Sequence, residues 1–190
     1  MPLATAPVVP AGVLGGSEQP VLQAGDLVLR PWAESDADVL RSSFADVAIQ
    51  RWHARTVDSR AEAAEMIASY NRAWQESRAV HWAITGPHVL GRVALRSIDL
   101  AEGVAEIAYW VAAADRGRGA AVRASAMASE WAFGDLGLHR LELCHSVANT
   151  ASCRVAQKAG FVYEGTKRSA CLHADGWHDM HLHARIQGDT

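Results

Sequence analysis

The segment Tyr109–Val122 constrains this chain more than any other, because an apolar strand runs through a short Arg/Gly loop directly into a helix. Glycines at 117 and 119 let the backbone approach a ligand, and the helix N-terminus adds unpaired N–H groups and a positive dipole end. Such a loop can hold a pyrophosphate, with Arg116 and Arg118 adding charge at its rim. A tight strand–helix connection explains the same pattern equally well.

The order of the remaining elements predicts one α/β (α+β) domain over residues 26–187. The pattern reads β-α-α-β-β-β-α-β-α-β-β, with no internal repeat and no linker. Residues 1–25 carry four prolines after Met1 and a Gly-Gly pair, and we expect them to form a flexible arm.

Composition excludes several classes of protein. The net charge is −3 with no basic run, which argues against nucleic-acid binding apart from a tRNA donor. No stretch approaches the roughly 18 apolar residues of a membrane span. The three cysteines, Cys144, Cys153 and Cys171, have neither a disulfide pattern nor zinc-ligand spacing, so we expect a reducing, cytoplasmic setting and no metal. The composition is also compatible with a homodimer.

Four segments in order resemble the GNAT superfamily of acyl-CoA N-acyltransferases. Arg116-x-x-Gly119-x-Ala121 resembles its Arg/Gln-x-x-Gly-x-Gly/Ala signature, and Ala105–Val111 resembles its fourth strand. Asn149-x-x-Ser152 followed by Lys158-Ala159-Gly160-Phe161 resembles its pantetheine-side helix and turn. Gly176-Trp177-His178-Asp179 resembles the last strand of the branch that acetylates ribosomal-protein N-termini (Rim-type).

The resemblance implies a GNAT fold: a twisted mixed sheet of about seven strands flanked by about four helices. Strands ending near Ala112 and His145 would splay apart around the pantetheine of acetyl-CoA, the co-substrate. The cofactor-binding residues implied by the resemblance are Val111, Ala113, Arg116, Gly117, Arg118, Gly119, Ala120, Ala121, Asn149 and Ser152.

The resemblance also implies catalytic candidates. Ser152 matches a serine that contacts the CoA sulfur, although a first-turn serine bonding its own backbone fits equally. The position at which many relatives carry a tyrosine acid is Ala156. Glu106 matches a glutamate that deprotonates the amine, with a structural role as the alternative. His81, His173 and His178 are fallback bases.

The acceptor side is less determined. Trp52 and His53 fall in the predicted loop between the first two helices, where the resemblance places the acceptor site. Cys171 occupies the place of an expected carboxylate base, which favours a small-molecule amine slightly over a protein N-terminus. A different donor, succinyl-CoA or aminoacyl-tRNA, and a non-catalytic CoA-binding module are the alternatives.

Overall fold

The computed structural model describes residues 5–53 and 55–189 and shows one eight-stranded sheet with helices on both faces. The strands are β1 (Leu22–Ala24), β2 (Leu27–Pro31), β3 (Val80–Thr85), β4 (Val89–Asp99), β5 (Val104–Val111), β6 (Arg140–Ser146), β7 (Val162–His173) and β8 (Gly176–Ile186). The α-helices are α1 (Ala37–Phe44), α2 (Val47–His53), α3 (Arg60–Gln75), α4 (Ala120–Gly134) and α5 (Thr150–Lys158). This is the expected GNAT architecture, with one more strand and one more α-helix than the sequence pattern predicts.

The two additional elements are short. β1 has three residues and α2 has seven, too few for a periodic apolar pattern to show in the sequence. The α2 helix begins after Asp46, whose carboxylate accepts a hydrogen bond from the Ala48 amide at 2.9 Å, and Ile49 anchors it in the core.

The sheet order is β1-β2-β3-β4-β5-β6-β8-β7, and β5 with β6 is its one parallel pair among the described strands. Their register covers three residue pairs, Val104–Glu106 against 140–142. Beyond Glu106 the two strands diverge, so the carboxyl half of β5 has a free edge on the β6 side. This is the splay that the resemblance implies.

Alternation along the strands divides the core into two layers. Trp82, Ile107 and Leu141 face α4 on one side of the sheet. Trp32, Ile67 and Trp110 form the other layer with α1 and α3. Burying each large apolar side chain contributes about 1.5–3 kcal/mol, so both layers stabilise the sheet that carries the splay.

The described part of residues 1–25 differs from the expected flexible arm, because it packs on the domain. Val9 and Leu14 are almost fully buried, and β1 pairs with β2. The indole N–H groups of Trp74 and Trp82 donate to the carbonyls of Ser17 and Pro20 at 2.9 and 2.8 Å. Apolar anchors and these two buried donors hold the segment in place.

None of the described helices is both long and apolar enough to cross a bilayer.

Candidate functional site

The Arg/Gly loop between β5 and α4 leaves its backbone open to a ligand. Gly117 and Gly119 have φ values of +78° and +79°, a left-handed conformation that favours glycine. A Cβ built on either glycine would meet no other atom within 4 Å. Helix α4 begins at Ala120, and Gly119 provides no side chain to cap its first-turn amides. The loop therefore presents free N–H groups, as a pyrophosphate cradle requires.

The two arginines of the loop have different environments. The Arg116 Nε donates to the Val111 carbonyl at 3.0 Å, and its Nη2 pairs with the Asp46 carboxylate before α2. Arg118 is exposed, and its guanidinium lies 3.6 Å from the buried carboxylate of Asp115. Arg116 thus fastens the loop to α2, whereas Arg118 is the arginine whose charge faces solvent.

A groove of about 420 Å³ runs from this loop to α5. The expected cofactor-binding residues that line it are Val111, Arg116, Gly117, Gly119, Ala120, Ala121, Asn149 and Ser152. Arg118 does not line it. Ala113, the first residue of a short 3-10 turn over Ala113–Asp115, does not line it either.

Ser152 and Tyr109 meet where the groove passes α5. The Asn149 side-chain oxygen accepts from the Ser152 amide at 3.1 Å and caps α5, as the sequence suggests. The Ser152 Oγ and the Tyr109 phenol oxygen are 2.7 Å apart. Burial raises the pKa of Tyr109 to about 12, against a smaller lowering by its bond with Ser152. The phenol therefore keeps its proton at neutral pH and can donate it.

Sequence reasoning missed Tyr109 as a proton donor, because it looked for the acid on α5 at Ala156. Ala156 is fully buried in the core beneath α5. The available signal was strand alternation, since the face of β5 opposite Glu106 and Trp110 is the one that carries Tyr109.

Glu106 lies away from the groove. It sits at the last residue pair of the β5–β6 register, below the splay, and its carboxylate accepts from Arg96 Nη2 at 2.6 Å. The Arg96 guanidinium thus occupies a carboxylate oxygen of Glu106. Glu106 is not among the residues that line the groove.

Trp52 and His53 line the groove, but the expectation that they lie in a loop is wrong. They form the last turn of α2. Burial, together with the positive charges of Arg92 and Arg96, lowers the pKa of His53 to about 4. His53 is therefore neutral at physiological pH and presents an uncharged ring to the groove.

Beyond Trp52, a serine, a histidine and an aspartate form a hydrogen-bonded chain. The Ser146 Oγ is 2.7 Å from His178 Nδ1, and His178 Nε2 is 2.8 Å from the Asp175 carboxylate. The His178 ring stacks on His173 with centroids 4.3 Å apart, and its edge packs on Trp52 at 6.3 Å. This arrangement holds the imidazole in one orientation behind Trp52, which lines the groove, whereas His178 itself is not among the lining residues.

Cys171 faces His178 across the β7–β8 pair. Its thiol is half-buried and does not line the groove, so it borders the histidine chain instead of the groove itself. The structure thus places Trp52, His53 and His178 close together, with Cys171 one strand further out.

Comparison with known proteins shows the family to which the chain is similar. Residues 26–162 match the model of the acetyltransferase (GNAT) domain. YoaA of Bacillus subtilis (strain 168), named as an uncharacterised N-acetyltransferase, is 26% identical over 172 residues, which cover 88% of this chain and 97% of YoaA.

Two solved structures have the same fold. The microcin C7 self-immunity acetyltransferase MccE, in complex with acetyl-CoA and AMP, superposes with a TM-score of 0.78 at 23% identity, covering 86% of this chain and 93% of MccE. RimL, the ribosomal L7/L12 α-N-protein acetyltransferase in complex with CoA, gives a TM-score of 0.78 at 21% identity, covering 90% of this chain and 100% of RimL. At these identities the likeness concerns the fold.

Proposed function

The chain belongs to the acetyltransferase (GNAT) family, and from that premise we propose that it moves an acetyl group from acetyl-CoA to a primary amine by direct attack. The observation that carries the proposal is the single groove with free helix N-terminal amides at one end and the hydrogen-bonded Ser152–Tyr109 pair further along. The relative MccE, with its bound acetyl-CoA, supports this choice of donor.

The donor end would hold the pyrophosphate on the amides of Gly117–Ala121 and the pantetheine in the splay. The Val111 carbonyl already accepts a hydrogen bond from Arg116. We therefore expect the amide groups of pantetheine to bond mainly to other backbone positions of the β5 edge. Asn149 caps α5 and faces the groove at the same time, so it can serve both the helix and the donor.

The reaction needs a neutral amine, a stabilised oxyanion and a protonated leaving thiolate. The amine nitrogen attacks the thioester carbon, the C–S bond breaks, and the CoA sulfur takes a proton from the Tyr109 hydroxyl, which Ser152 orients. The proton that the amine loses passes to a base, and the phenolate is reprotonated from solvent. We assign the base role to His178, which Asp175 and Ser146 orient, in preference to Glu106, which is paired with Arg96.

The acceptor is a primary amine of a small molecule or of a protein N-terminus. Neutral aromatic and imidazole rings, Trp52 and His53, line that end of the groove. Such a wall suits an amine that arrives partly neutral. An α-amine, with a pKa near 8, meets this condition, whereas a lysine amine near 10.4 does not.

The proposal is tested by incubating the protein with acetyl-CoA and a panel of small amines and N-terminal peptides, and identifying N-acetylated product by mass spectrometry. Product that forms with an acceptor and needs the enzyme supports it. Replacing acetyl-CoA by succinyl-CoA in parallel distinguishes a different donor. Tight CoA binding with no product across the panel would instead indicate a non-catalytic module.

A further inference from the structure

A second cluster of reactive side chains lies outside the groove wall, on the α4 and α5 face of the sheet. It contains His145 from β6, His181 and His183 from β8, and Cys153 from α5. His145 and His183 are 5% and 0% exposed, and the other two members are half-buried. Each offers one potential ligand atom, and the four atoms all lie within 4.8 Å of one another.

The spacing of these atoms is close to that of a tetrahedral metal site. His145 Nε2 and His183 Nε2 are 3.3 Å apart, and Cys153 Sγ is 3.9 Å from His183 Nε2. Two nitrogens bound to Zn²⁺ at about 2.05 Å in a tetrahedron are separated by about 3.3 Å, and a nitrogen and a sulfur by about 3.6 Å. These two separations fit to within a few tenths of an ångström, and the remaining pairs, which lie within 4.8 Å of one another, close around the ion by further side-chain movement.

One histidine of the cluster, His145, has the hydrogen bonding that is typical of a metal-bound histidine. His145 Nδ1 donates to the Ser146 carbonyl at 2.8 Å, so in the neutral ring Nε2 carries the lone pair that points at His183. His181 Nδ1 is buried and has no hydrogen-bond partner in the described part of the chain. The Nε2 atoms of His145 and His183 make their polar contacts only with other members of the cluster, so a cation between them displaces no bond to the rest of the described protein.

We propose that His145, Cys153, His181 and His183 form a structural zinc site that fastens α5 to strands β6 and β8. The Cys153 thiol gives its proton to solvent on binding, and the thiolate and three imidazole nitrogens complete the coordination of the ion. Four protein ligands leave no open position, so the site is structural.

The ligand set selects the metal by its chemistry. A thiolate with three imidazoles suits Zn²⁺, whereas Mg²⁺ and Ca²⁺ require oxygen ligands. Position also gives the site a consequence for the groove. Cys153 directly follows Ser152 in the first turn of α5, so an ion at Cys153 holds in place the helix end that presents Ser152 to Tyr109. The linear spacing of Cys and His gives no hint of this site, because its members lie on three elements.

The test uses untagged protein that has been dialysed against a chelator. Zinc is titrated into it, and calorimetry measures the binding. We expect one Zn²⁺ per chain, and a higher melting temperature with zinc. Cys153→Ser should weaken zinc binding at least about 100-fold, since even residues behind the ligands are worth 10–100-fold. Co²⁺ should give the strong visible absorption of a tetrahedral site and a thiolate-to-cobalt band that Cys153→Ser removes.

Cys144→Ser is the matched control, because Cys144 precedes His145 on β6 and lies outside the cluster. It should bind zinc as the wild type does. His181→Gln is a second variant that keeps the test decisive if Cys153→Ser folds poorly, and it too should lose the ion. Absence of stoichiometric zinc binding, or binding that both variants retain, overturns the proposal. Acetyl-CoA binding, measured on the same samples, is a separate readout that tests the groove rather than the zinc site.

Discussion

The two ends of the groove are built in different ways. The donor end is one continuous stretch, β5, its loop and the start of α4, plus the first turn of α5. At the other end α2 lines the groove with Trp52 and His53, and the end of β6 and the β7–β8 hairpin pack behind Trp52; the Arg51–Asp175 ion pair there joins residues 124 apart in sequence. A continuous backbone cradle recognises a constant group such as a pyrophosphate, whereas side chains from distant elements can change to fit different amines.

The largest effect should follow from closing the donor end. Gly119→Glu places a carboxylate in the open space of the loop, where it repels the pyrophosphate, and we expect acetyl-CoA affinity to fall at least about 100-fold by calorimetry. Gly137→Glu is the matched control, since Gly137 has the same φ of +79° and the same free space at the far end of α4. Equal donor affinity in the two variants would show that the loop is merely a connection.

The next effect concerns the point where the two ends meet. Tyr109→Phe and Ser152→Ala should each lower kcat about 100-fold and leave the acetyl-CoA Kd within a few-fold, because both act on the leaving thiolate. The double variant should lose little more than either single one, as expected of two groups that act together. A loss in kcat below about tenfold for both single variants removes the pair from the mechanism.

A smaller effect distinguishes two candidate bases at the acceptor end. His178→Gln should lower kcat/KM for an α-amine about tenfold near pH 7, with partial recovery at higher pH, where more of the amine is neutral. Glu106→Gln, whose carboxylate is held by Arg96, should stay within about threefold across the same pH profile. The opposite pattern would return the base role to Glu106.

Acid should lower the stability of the core layer that packs on α1 and α3, through His81. The His81 ring stacks on Tyr70 in that layer with centroids 4.2 Å apart. Burial, with the charges of Arg92 and Arg96, lowers the pKa of His81 to about 3. Because the unfolded pKa near 6.5 is higher, the unfolded chain binds the extra proton. The contribution of neutral His81 to the free energy of unfolding is therefore fully present above about pH 6.5 and is lost as the pH drops toward 3.

At pH 5 this loss amounts to about 2 kcal/mol relative to pH 7. His81→Phe keeps the stacked ring and removes the titration, so urea unfolding at the two pH values should differ by about 2 kcal/mol less than in the wild type. The exposed His139→Gln serves as the control variant. An unchanged pH dependence in His81→Phe would show that another group is responsible.

The donor end could be predicted from the sequence because it is local. Residues 109–122 carry the strand, the glycines and the helix start in one window, and Asn149 and Ser152 follow the same logic at α5. The order of elements predicted one α/β domain and the family resemblance implied its GNAT fold, whereas β1 and α2 are too short to show a period. The packing of the described residues before 26 depends on tertiary contacts of Trp74 and Trp82, which the proline-rich composition conceals.

The proposed acceptor residues could not be predicted in the same way, whereas strand alternation could have pointed to Tyr109. Whether His178 meets Ser146 and Asp175 depends on the register of β6 with β8 and on the hairpin turn. Whether Glu106 reaches the groove depends on the residue pair at which β5 and β6 separate. An alternating strand pattern does not show where that pair lies.

The measurement that tests the central claim most directly is the thermal melt of the wild-type protein with increasing CoA and acetyl-CoA. A groove that binds the donor predicts saturable stabilisation, about 2.7 kcal/mol at a ligand concentration 100 times the Kd. A melting curve that millimolar CoA and acetyl-CoA leave unchanged would contradict the donor site.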